Sequence, residues 1–183
     1  MRVRRKYIRS VAERLLHSHS ITSAPVHVEQ IAFALGIDVR STRPGDVSLS
    51  GFLVRDDGAG QAIIGVNKEH HKNRKRFTVA HEIGHFLLHT GQEIYVDECF
   101  KSGIRISLRD EDSSKGTERE EIEANVFAAE LLMPVELLRA DIASSNISDE
   151  EKLEKALDRL AKKYEVSKQA LTYRLVNLGY IHL

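Results

Sequence analysis

The chain has 183 residues, which suits one domain with a small appendage, and its 42% hydrophobic content is enough for a packed core. Its formal net charge is zero, but residues 1–80 hold a net +7 and residues 81–183 a net −7, which disfavours nucleic-acid binding by the second half. There is no apolar run of 18 residues, no signal-peptide core after the basic N-terminus, and a single cysteine, Cys99. We therefore expect a cytoplasmic protein with no membrane span and no intrachain disulfide.

The first half of the chain is predicted to form two helices, three strands and a third helix. Residues 2–19 have an amphipathic helical pattern, and residues 26–36 predict a helix that Gly36 ends. Three strand-like runs follow, at residues 37–42, 47–55 and 61–67. The segment DDGAG, which separates the last two runs, is typical of a hairpin.

The second half is predicted to be mainly helical. After an irregular stretch over residues 90–116, a strong helix is expected with Thr117 as N-cap, Glu120 in the capping-box position and Pro134 as stop signal. Residues 135–183 predict three further helices and a short tail. These elements indicate an α+β fold in which a small three-stranded sheet packs against helices.

The third helix contains the segment RKRFTVAHEIGHFLLH. At about 100° per residue, His81, Glu82, His85 and His89 fall within one narrow stripe, while apolar residues fill most of the remaining surface. Histidines at i and i+4 in an H-E-x-x-H motif can reach a single Zn²⁺, and the glutamate beside them is placed to take a proton from water. The alternative is an ordinary solvent face, but such faces normally hold Lys, Glu, Gln and Arg rather than three histidines.

The later helix, EEIEANVFAAELL, supplies a third candidate ligand. Its helical projection predicts Glu123 and Glu130 on an exposed edge and Glu121 at the centre of the most buried face. A buried carboxylate needs a strong partner, either zinc held by the two histidines or, alternatively, a cation such as Arg76. Two small residues would let this helix approach the histidines closely: Ala124 and Ala128.

Two histidines and one glutamate leave a fourth zinc position open, which is typical of catalytic rather than structural sites. Structural zinc usually has four protein ligands that are rich in Cys, and this chain has one Cys. With Glu82 as general base, the predicted chemistry is peptide-bond hydrolysis.

The segments RFTVAHEIGHFLLH and EIEANVFAAELLMP together resemble the ImmA/IrrE family of metallopeptidases, over roughly residues 67–134. This resemblance implies a minimal zincin-like core with zinc ligands at His81, His85 and Glu121 and a catalytic glutamate at Glu82. It also implies a cytoplasmic endopeptidase of restricted specificity. The implied substrate is a cognate Xre-type helix-turn-helix repressor, whose cleavage derepresses its genes.

Five further residues have weaker predicted roles. His89 could orient a metal ligand or simply end its helix, and Asn125 could orient a ligand or tie its helix to a loop. Tyr173 and Arg174 could reach the cleft and stabilise an oxyanion, although Tyr173 could equally belong to the core. Cys99 could sense redox state or be an ordinary semi-buried thiol.

Residues 160–179 have the rhythm of a helix-turn-helix, so we expect a core at residues 1–146 and a helix-turn-helix-like segment packed on it at residues 147–183. This segment supports an alternative function, a DNA-binding regulator whose metal site is structural or sensory. A second alternative is a catalytically silent metal-binding module that docks a partner. The would-be recognition helix offers only Lys168 and Arg174 as cations, so specific DNA binding is not expected.

Overall fold

A computed structural model describes residues 2–43, 50–56, 61–89, 94–96, 111–145 and 150–181. The elements in these residues follow the chain in this order: α1 (Arg5–Ser18), α2 (Val28–Ala34), β1 (Ile37–Thr42), β2 (Gly51–Asp56), β3 (Gln61–Asn67), α3 (Lys72–Leu88), β4 (Ile94–Val96), α4 (Glu111–Leu132), α5 (Val135–Ala143), α6 (Glu150–Tyr164) and α7 (Lys168–Asn177). The predicted α+β class is confirmed.

The strands form one mixed sheet in the order β1-β3-β2-β4. β1 is parallel to β3, whereas β2 is antiparallel to both β3 and β4. Asp56 pairs with Gln61, as expected for the predicted hairpin. The three predicted strands are present, and β4 adds a short edge strand inside the stretch predicted to be irregular. Three residues are too few for the alternation of apolar and polar side chains to be recognised.

Helix α4 is buried on two sides, because it packs against both α3 and α1. It begins at Glu111, so the predicted N-cap at Thr117 is wrong. The helix continues through Gly116, since a single glycine costs only about 1 kcal/mol relative to alanine. Toward its other end, Phe127, Ala128 and Leu131 are fully buried in the core.

Close contact between α3 and α4 depends on small residues. A Cβ atom added at Gly84 would lie 3.1 Å from Ala124 Cα and 3.3 Å from the Ala124 carbonyl oxygen. The predicted close approach of the two helices at Ala124 is therefore confirmed. It brings the backbone of α4 within reach of the histidine stripe on α3.

The last two helices pack against the rest of the protein through polar contacts as well as apolar ones. The Tyr164 hydroxyl donates to Asp141 Oδ2 at 2.8 Å, and Asn73 Nδ2 donates to the Val166 carbonyl oxygen at 2.9 Å. Ser167 caps α7 by accepting a hydrogen bond from the Ala170 backbone. The domain division at residue 146 stays a prediction. None of the described helices is both long and apolar enough to cross a bilayer.

Candidate metal centre

The carboxyl end of α3 is held by a guanidinium from the sheet. Arg55 Nη2 on β2 donates to the carbonyl oxygens of His85, Phe86 and His89 at 2.9, 2.8 and 2.8 Å. These carbonyls belong to the last turn of α3, where the helix dipole favours a cation, and that of His85 also accepts from the His89 backbone N–H. Arg55 therefore fixes the turn of α3 that bears the histidines.

The three predicted metal ligands converge between α3 and α4. The Nε2 atoms of His81 and His85 lie 3.0 Å apart, and they lie 3.3 and 3.4 Å from the two carboxylate oxygens of Glu121. Among the described residues, these three form a group whose potential ligand atoms all lie within 4.8 Å of one another. Burial raises the pKa of Glu121, but the neighbouring imidazoles of His81 and His85 outweigh it and lower the pKa to about 2. The carboxylate is thus ionised at neutral pH, as a metal ligand must be.

The donor set fits zinc. His81 Nδ1 lies 3.0 Å from Asn125 Oδ1, which can only accept, so Nδ1 donates and Nε2 keeps its lone pair. When His85 Nδ1 likewise donates to His89, two nitrogen lone pairs and a carboxylate face one point. Three acceptors that face each other are unfavourable unless a cation lies between them. Two imidazole nitrogens and a carboxylate oxygen are a ligand set that zinc takes in catalytic sites.

His89 connects this group to a buried carboxylate. Its Nδ1 lies 3.1 Å from His85 Nδ1, and its Nε2 lies 3.4 Å from Glu123 Oε2. Burial, together with the neighbouring His85, lowers the pKa of His89 to about 4. The ring is therefore neutral at physiological pH and can accept on one nitrogen while it donates from the other.

The prediction that Glu123 and Glu130 form an exposed edge of α4 is wrong, because their exposed fractions are 0% and 5%. Glu123 accepts hydrogen bonds from Arg4 and Arg119, and Glu130 pairs with Arg9 and Arg174. The bonds to these carboxylates range from 2.5 to 3.2 Å. A helical projection assumes one buried face, whereas α1 covers the side of α4 that the projection left to solvent.

Glu82, the predicted general base, is buried between α3 and the sheet. The first residue of β2 approaches it closely, since a Cβ atom at Gly51 would lie 3.6 Å from Glu82 Oε1 and 2.2 Å from Thr78 Cγ2. Only glycine fits at this position without displacing α3. Because Gly51 has no side chain, β2 can lie next to the Glu82 carboxylate.

Two residues predicted to stabilise an oxyanion have different environments. Arg174 donates to both carboxylate oxygens of Glu130, at 2.9 and 2.5 Å, and to the Met133 carbonyl oxygen at 3.2 Å. A buried ion pair thus engages the Arg174 guanidinium, and the oxyanion role of this cleft-lining residue stays a prediction. Tyr173 is 56% exposed rather than a core residue. Cys99 lies outside the described residues.

A cleft of about 1040 Å³ lies between α3, α4 and α7, next to the metal centre; His81, Glu82, His85 and Glu121 are not among its lining residues. Asn125 belongs to both, because it lines the cleft and bonds His81. The other lining residues are mainly apolar or basic: Arg5, His71, Asn73, Arg74, Phe77, Ile122, Val126, Ala129, Met133, Val166, Ser167, Lys168, Gln169, Ala170, Tyr173, Arg174 and Asn177. In the described part of the chain, no Asp or Glu lines this cleft.

Comparison with known proteins identifies the family. A Mycobacterium tuberculosis transcriptional regulator has a similar fold, with a TM-score of 0.53 at 16% identity; the alignment covers 92% of this chain but 46% of that protein, so this chain spans about half its length. No curated protein sequence matches the chain significantly. The model of the peptidase M78 family, described as the IrrE N-terminal-like domain, matches residues 32–176. This match covers most of the chain and confirms the ImmA/IrrE resemblance: the protein belongs to the peptidase M78 family.

Proposed function

We propose that the protein is a zinc-dependent endopeptidase of restricted specificity. The observation that carries this proposal is the convergence of His81, His85 and Glu121 on one point. The Nδ1 atoms of the two histidines are hydrogen-bonded to Asn125 and His89, and Glu82 lies on the same helix as the histidines. Membership in a peptidase family agrees with this arrangement. The cytoplasm remains the expected location.

Each residue of the centre has a distinct role in this proposal. His81, His85 and Glu121 would hold the metal, and Asn125 keeps His81 in the tautomer whose Nε2 faces it. Bound zinc would supply Lewis acidity, which polarises a scissile carbonyl and acidifies water. Glu82 would accept the proton of the attacking water and deliver it to the leaving amine. Burial beside the sheet restricts the carboxylate to few orientations.

The cleft supports a polypeptide substrate. Its volume of about 1040 Å³ lies just above the range of about 300–1,000 Å³ that small-molecule sites occupy. Phe77, Ile122 and Tyr173 offer apolar surface, while Arg5 and Arg74 supply positive charge. We propose that a segment of a cognate Xre-type helix-turn-helix repressor docks here, beside the C-terminal helices, and that its cleavage derepresses the repressor's genes.

The contacts of α7 weigh against DNA binding as the main function. Lys168 forms ion pairs with Glu154 and Asp158, and Arg174 is buried against Glu130. The two cations of the would-be recognition helix are thus engaged within the protein, whereas phosphate contacts need available positive charge. The alternative of a silent docking module differs from the proposal only in the role of Glu82.

Coexpression with a repressor encoded next to this protein tests the proposal. The wild-type protein should produce repressor fragments, and Glu82→Gln should bind zinc equally but yield none, because the amide cannot accept the proton. Mass spectrometry of the repressor and metal analysis of both proteins provide the readouts. An intact repressor with the wild-type protein under inducing conditions contradicts the proposed substrate. Fragments that persist with Glu82→Gln contradict the proposed base.

A further inference from the structure

We propose that Arg4, Glu123 and His89 form an N-terminal buttress that holds His85 in the tautomer and orientation needed to bind the metal. The proposal rests on the metal site described above but not on peptidase activity. It assigns a role in the metal centre to a residue at the start of the chain. That residue, Arg4, lies outside residues 32–176, which match the family model.

The direction of the hydrogen bonds that link Glu123, His89 and His85 follows from the carboxylate at one end and the metal ligand at the other. Glu123 is a carboxylate that accepts from several donors, so the neighbouring Nε2 of His89 donates its proton to it. The Nδ1 atom of His89 then has only a lone pair, and it must accept from His85 Nδ1 at 3.1 Å. With its proton on Nδ1, His85 presents the Nε2 lone pair to His81 and Glu121.

Arg4 fixes the carboxylate at the outer end of the buttress. Its side chain donates to both oxygens of Glu123 at distances of 2.5 to 3.1 Å, and its backbone N–H donates to Oε1 at 3.0 Å. Arg4 Nη2 also lies 3.4 Å from the Leu88 carbonyl oxygen, in the last turn of α3. One residue therefore anchors both the carboxylate and the helix end that bears His89.

Burial makes this arrangement specific. Glu123, His89 and His85 have almost no solvent exposure, so water cannot replace a lost partner. If Glu123 no longer accepts from His89, or His89 no longer accepts from His85, the His85 proton can move to Nε2, where it blocks metal binding. Partners of this outer kind typically change metal affinity by about 10–100-fold when they are removed.

Glu130 offers a matched control on the same helix. It is also a buried carboxylate that pairs with an arginine of α1, Arg9, but it continues to Arg174 rather than to a histidine. A general effect of losing an α1–α4 ion pair should appear in both pairs. An effect through His85 should appear only in the buttress.

Zinc affinity measured by chelator competition, together with the visible spectrum of the Co²⁺-loaded protein, tests the buttress on the full chain. His89→Phe and Glu123→Gln should weaken zinc binding by about 10–100-fold and alter the cobalt absorption bands. Arg4→Ala should act in the same direction, and His89→Gln, whose amide oxygen can accept from His85, should restore part of the affinity. Arg9→Ala and Glu130→Gln should stay within about twofold of the wild type, with unchanged cobalt spectra.

Affinities of His89→Phe and Arg4→Ala within twofold of the wild type, with unchanged cobalt spectra, would overturn the buttress. So would equal losses in the Glu130→Gln control. If Glu123→Gln does not fold, the comparison between His89→Phe and His89→Gln decides, and equal affinities of these two variants count against the proposal. Failure of the wild-type protein to bind zinc would instead contradict the proposed function itself.

Discussion

Two ion pairs reach α4 from the N-terminal segment, one from Arg4, the N-cap of α1, and one from Arg9 within α1. They differ in which residue the carboxylate contacts next. Arg4 pairs with Glu123, which leads through His89 to the metal centre. Arg9 pairs with Glu130, which leads to Arg174 on α7. Both pairs join an arginine in α1 or at its N-cap to a buried glutamate of α4. We infer from this comparison that the second partner of each buried carboxylate, rather than its ion pair with arginine, determines what the carboxylate does.

Arg174→Met should have the largest effect on stability, and it addresses the Glu130 side of the comparison. The substitution leaves Glu130 buried with only the half-exposed Arg9, and breaking a buried ion pair typically costs about 3–5 kcal/mol. Urea denaturation of the zinc-free protein measures the loss. The double variant Arg174→Met, Glu130→Met should recover part of it, because no charge then remains buried. A loss below 1 kcal/mol in the single variant would contradict the pairing.

The Arg4–Glu123 pair should make the free energy of unfolding fall as the solution becomes acidic. Burial raises the pKa of Glu123, but the hydrogen bonds from Arg4 outweigh this and lower it from 4.5 to about 2. Because the folded pKa is depressed, the stabilisation is fully present above pH 4.5 and is lost as the pH falls toward 2. Glu123→Gln should therefore be less stable than the zinc-free wild type by about 2 kcal/mol at pH 7. A stability difference that stays constant from pH 6 to 2.5 would show that Glu123 is not held as a carboxylate.

Gly84→Ala tests the helix that carries both glutamates, because it should displace α4 while leaving the two ion pairs chemically unchanged. The added methyl would lie 3.1 Å from Ala124 Cα, closer than most Cβ contacts, so α4 must shift by a few tenths of an ångström. We expect a loss of about 1 kcal/mol, within the range of small overpacking effects. Because Glu121 moves with the helix, zinc affinity should fall as well. Thermal unfolding with and without zinc separates the two effects, and an unchanged zinc-dependent shift would argue against this coupling.

Arg9→Ala should have the smallest effect of the four. The Arg9 side chain is 44% exposed, and exposed ion pairs contribute about 0–1 kcal/mol. Glu130 also keeps Arg174, so no buried charge is left without a partner. A fall in the melting temperature of more than about 4 °C would contradict this ranking, because it corresponds to more than 1 kcal/mol for a protein of this size.

The parts of the site that the sequence predicts are those set by local periodicity. His81, His85 and Glu121 could be recognised because residues four apart share a helix face, and because a glutamate surrounded by apolar positions needs a partner. The fold class and most element bounds follow from similarly local patterns. These signals extend over one or two turns of a helix and can therefore be recognised without knowledge of the tertiary structure.

The parts that could not be predicted depend on residues far apart in the chain. Arg4 and Glu123 are 119 positions apart, and nothing near Glu123 indicates that α1 covers it. For the same reason the sequence does not reveal that Arg174, which lines the cleft, forms a buried pair with Glu130. The glutamates at 123 and 130 are seven residues apart, two helical turns, which is a weak signal of a shared buried face.

Anomalous diffraction at the zinc edge, from crystals of the protein purified without added metal, tests the central claim most directly. The proposed centre predicts one strong peak, about 2.0–2.2 Å from the Nε2 atoms of His81 and His85 and from a carboxylate oxygen of Glu121. His85 Nδ1 should remain within hydrogen-bonding distance of His89. A zinc peak bound elsewhere, or one that lacks Glu121 as a ligand, would contradict the account.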